Sequence, residues 1–377
     1  MVIRESIQMV DLKGQYNKIK NEINSAIQNC IEDAVFINGD QVTIFQDKLV
    51  NYLGVSHVIT CGNGTDALQI AIMALNLQPG DEVILPAFTY VATAEVIALL
   101  HLVPVLVDVD EDTFNIKTEG IEAAITPKTK LIVPVHLFGQ CADMEEIMII
   151  AKKYNLFVIE DTAQTIGANY TFSDGKIQKA GTIGDIGCTS FFPSKNLGCY
   201  GDGGAIYTNN DNLSNRLRMI ANHGQSKKYH HDIIGVNSRL DTIQAAVLNQ
   251  KLNFLDKYSL ARQKAADFYD SAFKNIPEIE IPKRNTNSTH VFHQYTLKIK
   301  SNKRDLLKKY LSEKGIPSMI YYPIPLHKQK AYENLVKIKG DLLVANLLCE
   351  QVLSLPMHTE LDEKQLSFIC NCIISFF

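Results

Sequence analysis

The sequence contains no hydrophobic run long enough to cross a membrane. Its longest apolar stretch, residues 96–109, is interrupted by His101, Pro104 and Asp108, whereas a spanning helix needs about 20 consecutive apolar residues. Residues 1–6 lack the apolar core of a secretion signal. We therefore expect a cytoplasmic protein without a membrane partner.

Charge, cysteine spacing and missing motifs exclude further classes. The formal net charge is −4, and the basic cluster Lys227–Lys228 is too short for a nucleic-acid patch. The 8 cysteines show no C-x-x-C spacing, so neither a zinc site nor a disulfide framework is expected. The sequence also lacks G-x-S-x-G, G-x-x-x-x-G-K-[ST] and H-E-x-x-H, the motifs of α/β-hydrolases, P-loop NTPases and zinc proteases. We expect no nucleic-acid partner and no metal.

What the sequence does contain is an alternation of short apolar strands and helices. Residues 57–60 and 82–85 are typical of such strands, and the pattern predicts an α/β fold with a mainly parallel sheet between helices. Helical spacing then continues over residues 240–273, which predicts one long linking helix. The length of 377 residues favours two domains, a large one over residues 1–249 and a small α/β one over residues 250–377.

The small domain is predicted in the same way. Strands are expected over residues 291–299 and 318–322, and helices over residues 303–314, 342–352 and 362–372.

Lys195 lies in an unusual segment, Thr189–Ala205. The aromatic pair Phe191–Phe192 precedes it, and the segment contains four glycines after it. A lysine in an apolar pocket loses part of its ammonium form, and the neutral amine can attack an aldehyde to form a Schiff base. A surface-loop lysine remains the alternative.

Gly62–Ala67 matches G-x-G-x-x-A between a predicted strand and a helix. This spacing suits a phosphate held by backbone N–H groups at a helix N-terminus, although a plain tight turn is also compatible with it. A dinucleotide site would need an acid at the end of the next strand, and that strand ends instead in Pro86-Ala87-Phe88.

Asp161 follows another strand, 34 positions before Lys195. The carboxyl edge of a parallel sheet could bring the two together, although an acid there can also simply cap a helix. Pyridoxal phosphate chemistry uses this pair, a Schiff-base lysine and a carboxylate that keeps the ring nitrogen protonated. Phe88 could lie on the ring face or belong to the core.

With these motifs the chain resembles the DegT-type nucleotide-sugar aminotransferases, which are fold type I pyridoxal phosphate enzymes. The similarity runs almost end to end, from residues 11–15 to residues 322–326, and the lysine segment and Gly184–Gly187 are highly specific to that family. The implied architecture is a large domain with a mainly parallel mixed sheet plus a smaller C-terminal α/β domain.

The resemblance also implies roles for individual residues. Lys195 would carry the cofactor and shuttle the proton, and Asp161 would pair with the pyridine nitrogen. The other implied cofactor contacts are Gln164 on the ring hydroxyl side, Phe88 on the ring face, Gly64, Thr65 and Ser190 on the phosphate, and Asn237 on the phosphate of the neighbouring subunit. The implied substrate contacts are Arg239, His136, Tyr321 and His327. Arg239 would meet a carboxylate of the sugar or of the donor glutamate, although an arginine so near Asn237 and Asp241 could equally form a structural ion pair.

The implied reaction transfers the amino group of L-glutamate to a keto-sugar linked to a nucleotide, in a homodimer with shared sites. The expected substrate is UDP-2-acetamido-2-deoxy-3-ketoglucuronic acid, in the synthesis of bacterial surface polysaccharide. The alternative is a dTDP-3-keto-6-deoxyhexose, which His136 and His327 favour. A nicotinamide-dependent dehydrogenase and a cofactor-binding regulator without turnover are the rivals from other classes.

Overall fold

The computed structural model describes residues 7–377, which form an α/β structure. The helices are α1 Leu12–Lys18, α2 Lys20–Asp33, α3 Asp40–Leu53, α4 Gly64–Ala74, α5 Ala92–Leu99, α6 Thr118–Ala124, α7 Met144–Tyr154, α8 Asp211–Ala221, α9 Thr242–Lys251, α10 Leu255–Phe273, α11 Arg304–Glu313, α12 Leu343–Gln351 and α13 Glu363–Ile374. The strands are β1 His57–Cys61, β2 Glu82–Pro86, β3 Val103–Val107, β4 Thr129–Ile132, β5 Phe157–Asp161, β6 Asn169–Thr171, β7 Ile177–Lys179, β8 Ile186–Ser190, β9 Gly204–Thr208, β10 Gln225–Lys227, β11 His230–His231, β12 Ile279–Glu280, β13 Tyr295–Ile299, β14 Lys337–Ile338 and β15 Val352–Leu355.

A large mixed sheet forms the centre of the molecule, with strand order β1-β9-β8-β5-β4-β2-β3-β14. All neighbouring pairs from β8 to β14 are parallel, and β9 runs antiparallel to both β1 and β8. This arrangement agrees with the predicted mainly parallel sheet.

Helices cover both faces of this sheet, which explains why its strands are apolar without alternation. Strand β2 is buried along its whole length. Val83 and Leu85 pack into the hydrophobic cluster on one face, whereas Ile84 packs into the cluster on the other. Successive side chains of a strand point to opposite faces, so each face receives its own core.

A smaller antiparallel sheet, β12-β13-β15, packs in a separate hydrophobic cluster with α10, α11 and α13. Tyr269 of α10 and Leu297 of β13 are both fully buried in it. The predicted boundary between residues 249 and 250 stays a prediction. Later residues also reach the large sheet, because β14 pairs with β3 and Leu348 packs into the cluster on one of its faces.

Two predictions about the second half of the chain were wrong in detail. The helix over residues 240–273 is interrupted by a 3₁₀ turn at Leu252–Phe254. Leu252 stays buried there, so the apolar spacing continues through the turn and gives no sign of the break. The strand over residues 318–322 is reduced to a bridge between Met319 and Ser354. The helix predicted near residues 342–352 is confirmed as α12, and β15, which follows it directly, was not predicted.

The topology brings three strand ends to one edge of the large sheet. Strands β1, β5 and β8 run in the same direction, and they end at Cys61, Asp161 and Ser190. Ligands of α/β proteins bind at such carboxyl edges. No helix within residues 7–377 is both long and apolar enough to span a bilayer.

Candidate active site

A cavity of about 630 Å³ opens at this edge of the sheet. Its lining contains seven residues proposed from the sequence: Gly64, Thr65, Asp161, Gln164, Ser190, Lys195 and Tyr321. The lining also includes residues that the sequence did not single out, among them Asp66, Thr89, Tyr90, Asp202, His293 and Tyr322. One cavity therefore combines the predicted amine, carboxylate and anion cradle.

The backbone around Lys195 forms a closed turn. The N–H of Lys195 donates to the carbonyl oxygen of Phe192 at 2.8 Å, and that of Cys199 donates to Phe191 at 2.8 Å. The Asn196 side chain donates to the carbonyl oxygen of Val291 at 3.0 Å, which ties the turn to the segment before β13. The turn thus holds the Lys195 side chain at the cavity wall.

Burial lowers the pKa of the Lys195 ammonium to about 8, while the carboxylate of Asp161 acts in the opposite direction. An ordinary lysine titrates near 10.4, so almost none of it is neutral at pH 7. With a pKa of about 8, about a tenth of the Lys195 side chains are neutral amines at that pH. The site therefore prepares this nitrogen for attack on a carbonyl group.

The Asp161 carboxylate is buried at the end of β5 and accepts two hydrogen bonds. Its Oδ1 accepts from the N–H of Ala163 at 3.1 Å, and its Oδ2 accepts from the Thr93 hydroxyl at 2.9 Å. Burial raises the pKa of the carboxyl group, and these two donors and Lys195 oppose that rise. Thr93 was missed by the sequence analysis, because a threonine in the first turn of a helix carries no motif of its own.

The first turn of α4 forms the predicted anion cradle. Asn63 caps the helix, and its side chain accepts from the N–H of Asp66 at 2.8 Å. A Cβ atom at Gly64 would lie 2.7 Å from the Cβ of Ser190, so only glycine allows β8 to approach the helix so closely. Free N–H groups at a helix N-terminus attract anions, and the hydroxyls of Thr65 and Ser190 lie beside them.

Gln164 is held in a fixed orientation on the cavity wall. Its side-chain oxygen accepts from the N–H of Phe138 at 2.8 Å, and its amide nitrogen donates to the Tyr322 hydroxyl at 3.2 Å. The second N–H of the amide remains for a ligand.

Phe88 is not among the residues that line the cavity. Its ring is only 1% exposed and lies 6.0 Å from the ring of Tyr322, measured between centroids. The aromatic side chain in the lining is Tyr90, which is 57% exposed. Tyr90 is therefore the aromatic side chain that this structure leaves accessible to a ligand ring, and the predicted role of Phe88 stays a prediction. A strand-end sequence cannot tell which of two nearby aromatic residues faces the core.

His136 does not reach the cavity either. It is fully buried, its Nδ1 accepts from the N–H of Ala142 at 3.1 Å, and its Nε2 therefore donates to Glu160 at 2.9 Å. Glu160 also accepts from the N–H groups of Gly181 and Ile183. The structure gives His136 a structural role, because both ring nitrogens are already used, and its predicted substrate role stays a prediction.

Three further predicted residues lie outside the cavity lining. Asn237 is exposed, Arg239 is partly exposed, and His327 is half-buried on the 3₁₀ turn Leu326–Lys328. Ser238, between the first two, donates to the carboxylate of Asp66 at 2.6 Å. This contact anchors the segment to the cradle.

The pKa of Lys195 gives a first prediction. In cofactor-free protein, the rate at which added pyridoxal phosphate attaches to Lys195 should rise with pH around a midpoint near 8, because only the neutral amine reacts. Borohydride trapping followed by peptide mass analysis measures this rate. A rate that still climbs steeply above pH 10 would show an ordinary, solvated lysine.

The structural role of His136 leads to a second prediction, which concerns stability. His136→Leu should lower the free energy of unfolding by about 2–4 kcal/mol, because Glu160 loses a buried donor and the N–H of Ala142 loses its acceptor. Urea unfolding measures the change, and His327→Leu at a half-buried position serves as a milder control. A fully stable His136→Leu protein with a raised KM for the sugar would instead restore the substrate role.

Comparison with known proteins agrees with this geometry. Residues 17–374 match the model of the DegT/DnrJ/EryC1/StrS aminotransferase family. UDP-2-acetamido-2-deoxy-3-oxo-D-glucuronate aminotransferase of Pseudomonas aeruginosa is 47% identical over 97% of this chain and 99% of its own length. UDP-N-acetyl-3-dehydro-alpha-D-glucosamine 3-aminotransferase of Acidithiobacillus ferrooxidans is 44% identical over 99% and 98%.

A solved structure gives the same result for the fold. The crystal structure of a DegT DnrJ EryC1 StrS aminotransferase from Brucella abortus superposes with a TM-score of 0.93 at 42% identity, and the match covers 98% of this chain and 99% of that one. The predicted fold type I architecture is thereby confirmed. The chain belongs to the DegT/DnrJ/EryC1/StrS aminotransferase family.

Proposed function

We propose that the protein is a pyridoxal phosphate-dependent transaminase that moves the amino group of L-glutamate to C3 of a UDP-linked 3-keto-sugar. The proposed substrate is UDP-2-acetamido-2-deoxy-3-ketoglucuronic acid. The observation that carries the proposal is that Lys195, Asp161 and the cradle at Gly64 line one cavity.

The residues of the cavity fit this cofactor at three separate points. A lysine with a lowered pKa suits its aldehyde, a buried carboxylate suits a protonated ring nitrogen, and a helix N-terminus with two hydroxyls suits its phosphate. Glycine at position 64 lets Ser190 lie directly against the first turn of α4, which keeps the Ser190 hydroxyl beside the cradle. A volume of about 630 Å³ lies within the range of small-molecule sites.

Bound pyridoxal phosphate supplies a carbonyl carbon that accepts an amino group and a ring that takes up electrons. Lys195 would hold that carbon until an amino substrate displaces it, and its neutral amine would then take a proton from one carbon and return it to another. Asp161, fixed by Thr93 and Ala163, would keep a proton on the ring nitrogen. The wall at Tyr90 and Gln164 would orient the ring.

The charges of the cavity bear on the substrate. Among the described residues that line it, Lys195 is the only lysine or arginine, and Asp66 and Asp202 add negative charge. Burial lowers the pKa of His293 well below its usual range, and the nearby Lys195 adds to this effect, so that ring is neutral. A diphosphate or carboxylate therefore needs a cation from elsewhere. We assign this part to Arg239 of the partner subunit, facing the sugar carboxylate.

The proposal therefore includes a homodimer with shared sites. Exposed apolar residues at Val35, Phe36 and Ile37 adjoin the segment 237–241, because Ile37 bridges to Asp241. Exposed apolar groups next to functional residues favour a protein partner. A second copy would cover this patch and bring Asn237 to the neighbouring phosphate cradle.

Both relatives act, by their names, on UDP-linked keto-sugars. This favours UDP over dTDP for the present chain. A UDP-amino-uronic acid belongs to the synthesis of bacterial surface polysaccharides such as O-antigen, and we place the reaction in the cytoplasm, where nucleotide sugars are made.

The substrate proposal is tested by supplying ¹⁵N-labelled L-glutamate with each keto-sugar in turn. We expect ¹⁵N in the UDP-3-keto-uronic acid product, a turnover at least about tenfold lower with the C6 alcohol because it lacks the carboxylate, and none with Lys195→Ala. Preferred amination of dTDP-3-keto-6-deoxyglucose would select the alternative. Absence of 2-oxoglutarate with every sugar would favour the regulator.

Arg239→Gln provides the matched variant for this test. It should raise the KM for the uronic acid about tenfold or more while leaving the KM for the C6 alcohol nearly unchanged. An equal rise for both sugars would assign the arginine to the diphosphate, and a rise for glutamate alone would assign it to the donor.

The shared site predicts complementation between two inactive variants. Lys195→Ala and Asn237→Asp proteins, unfolded together and refolded, should form mixed dimers in which one cavity has both Lys195 and the partner subunit's Asn237. Activity should then return, whereas each variant refolded alone stays inactive or weak. If mixing restores nothing although mass analysis detects mixed dimers, Asn237 does not act across the interface.

A further inference from the structure

A second lysine, Lys251, is buried beneath the turn that carries Lys195. It is 1% exposed at the end of α9, and no ion pair among residues 7–377 includes it. Its Nζ donates to the carbonyl oxygen of Gly198 at 2.6 Å and stands 4.8 Å from the centre of the Tyr200 ring. Burial lowers its pKa to about 8.

A buried ammonium group without a carboxylate is costly, and an apolar side chain of similar length would avoid that cost. Lys251 is therefore poorly explained as packing alone. The hydrogen bond from Lys251 to Gly198 explains the buried lysine better, because the Gly198 carbonyl oxygen would otherwise need another donor at a buried position.

Gly198 lies three residues after Lys195, at a point where the turn folds back on itself. A Cβ atom at position 198 would lie 2.4 Å from the carbonyl oxygen of Pro193. The same helix also holds the next part of the turn, since the N–H of Tyr200 donates to the side-chain oxygen of Gln244 at 2.8 Å. Helix α9 thus contacts the floor of the turn at two points.

We propose that Lys251 is a positioning residue for Lys195, which acts by fixing the Gly198 carbonyl and thereby the turn that presents the Lys195 amine to the cavity. Lys251 itself touches neither cofactor nor substrate. This inference rests on the proposed function, in which Lys195 reacts with pyridoxal phosphate.

The test compares Lys251→Met, Lys251→Gln and the exposed control Lys257→Met in cofactor-free protein. Pyridoxal phosphate is added over a range of pH, the product is trapped with borohydride, and the attachment at Lys195 is measured by peptide mass analysis. Circular dichroism and thermal unfolding report whether each variant is folded.

Lys251→Met should fold and label Lys195 about tenfold or more slowly, since small misplacements of a reacting group have effects of this size. The midpoint of its pH profile should also move above 8, because a loosened turn lets water reach the amine. Lys251→Gln keeps an N–H donor and should recover most of the rate and the original midpoint. Lys257→Met should match the unchanged protein in both.

Equal rates and midpoints in Lys251→Met and the control would overturn the proposal. If Lys251→Met does not fold, Lys251→Gln decides. A folded Lys251→Gln protein that labels Lys195 about tenfold more slowly than the unchanged protein would equally overturn the proposal. If Lys195 fails to label in the unchanged protein, the proposed function fails. Hydrogen exchange at the Tyr200 amide then decides the positioning role. Faster exchange in Lys251→Met than in Lys257→Met would support that role, and equal exchange in all three variants would overturn it.

Discussion

The site depends on keeping one amine out of bulk water beside one buried carboxylate. Removal of the Lys195 ammonium from water lowers its pKa to about 8, and the charge of Asp161 limits the shift. Burial alone would favour two neutral groups, and the donors at Thr93 and Ala163 oppose this for the carboxylate. The balance leaves an amine that can react with a carbonyl group and a carboxylate that can keep the nitrogen of a cofactor ring protonated.

The fold creates this balance through strand direction and glycine. Because β1, β5 and β8 run the same way, their ends deliver a helix N-terminus, a carboxylate and the lysine turn to one edge. Gly64 and Gly198 allow the close approaches that shape the cradle and the turn. Helix α9 supports that turn from below with Gln244 and Lys251.

The parts that the sequence predicted well are those fixed by strand ends and local motifs. Lys195 and Asp161 could be paired because parallel strands end at a common edge. Side-chain direction was harder, since neither the core position of Phe88 nor the internal role of His136 follows from spacing. The break between α9 and α10 was hidden because Leu252 preserves the apolar pattern. Dimer contacts depend on a second chain, so their roles stay proposals.

The most direct test of the central claim uses the protein as purified from its host. After borohydride reduction and proteolysis, mass analysis should find one reduced pyridoxyl phosphate group on the peptide that contains Lys195, and a yellow colour should disappear on reduction. An Asp161→Ala protein should retain much less of the group. A Lys195 peptide without the group, or the same group mainly on other lysines, would contradict the account.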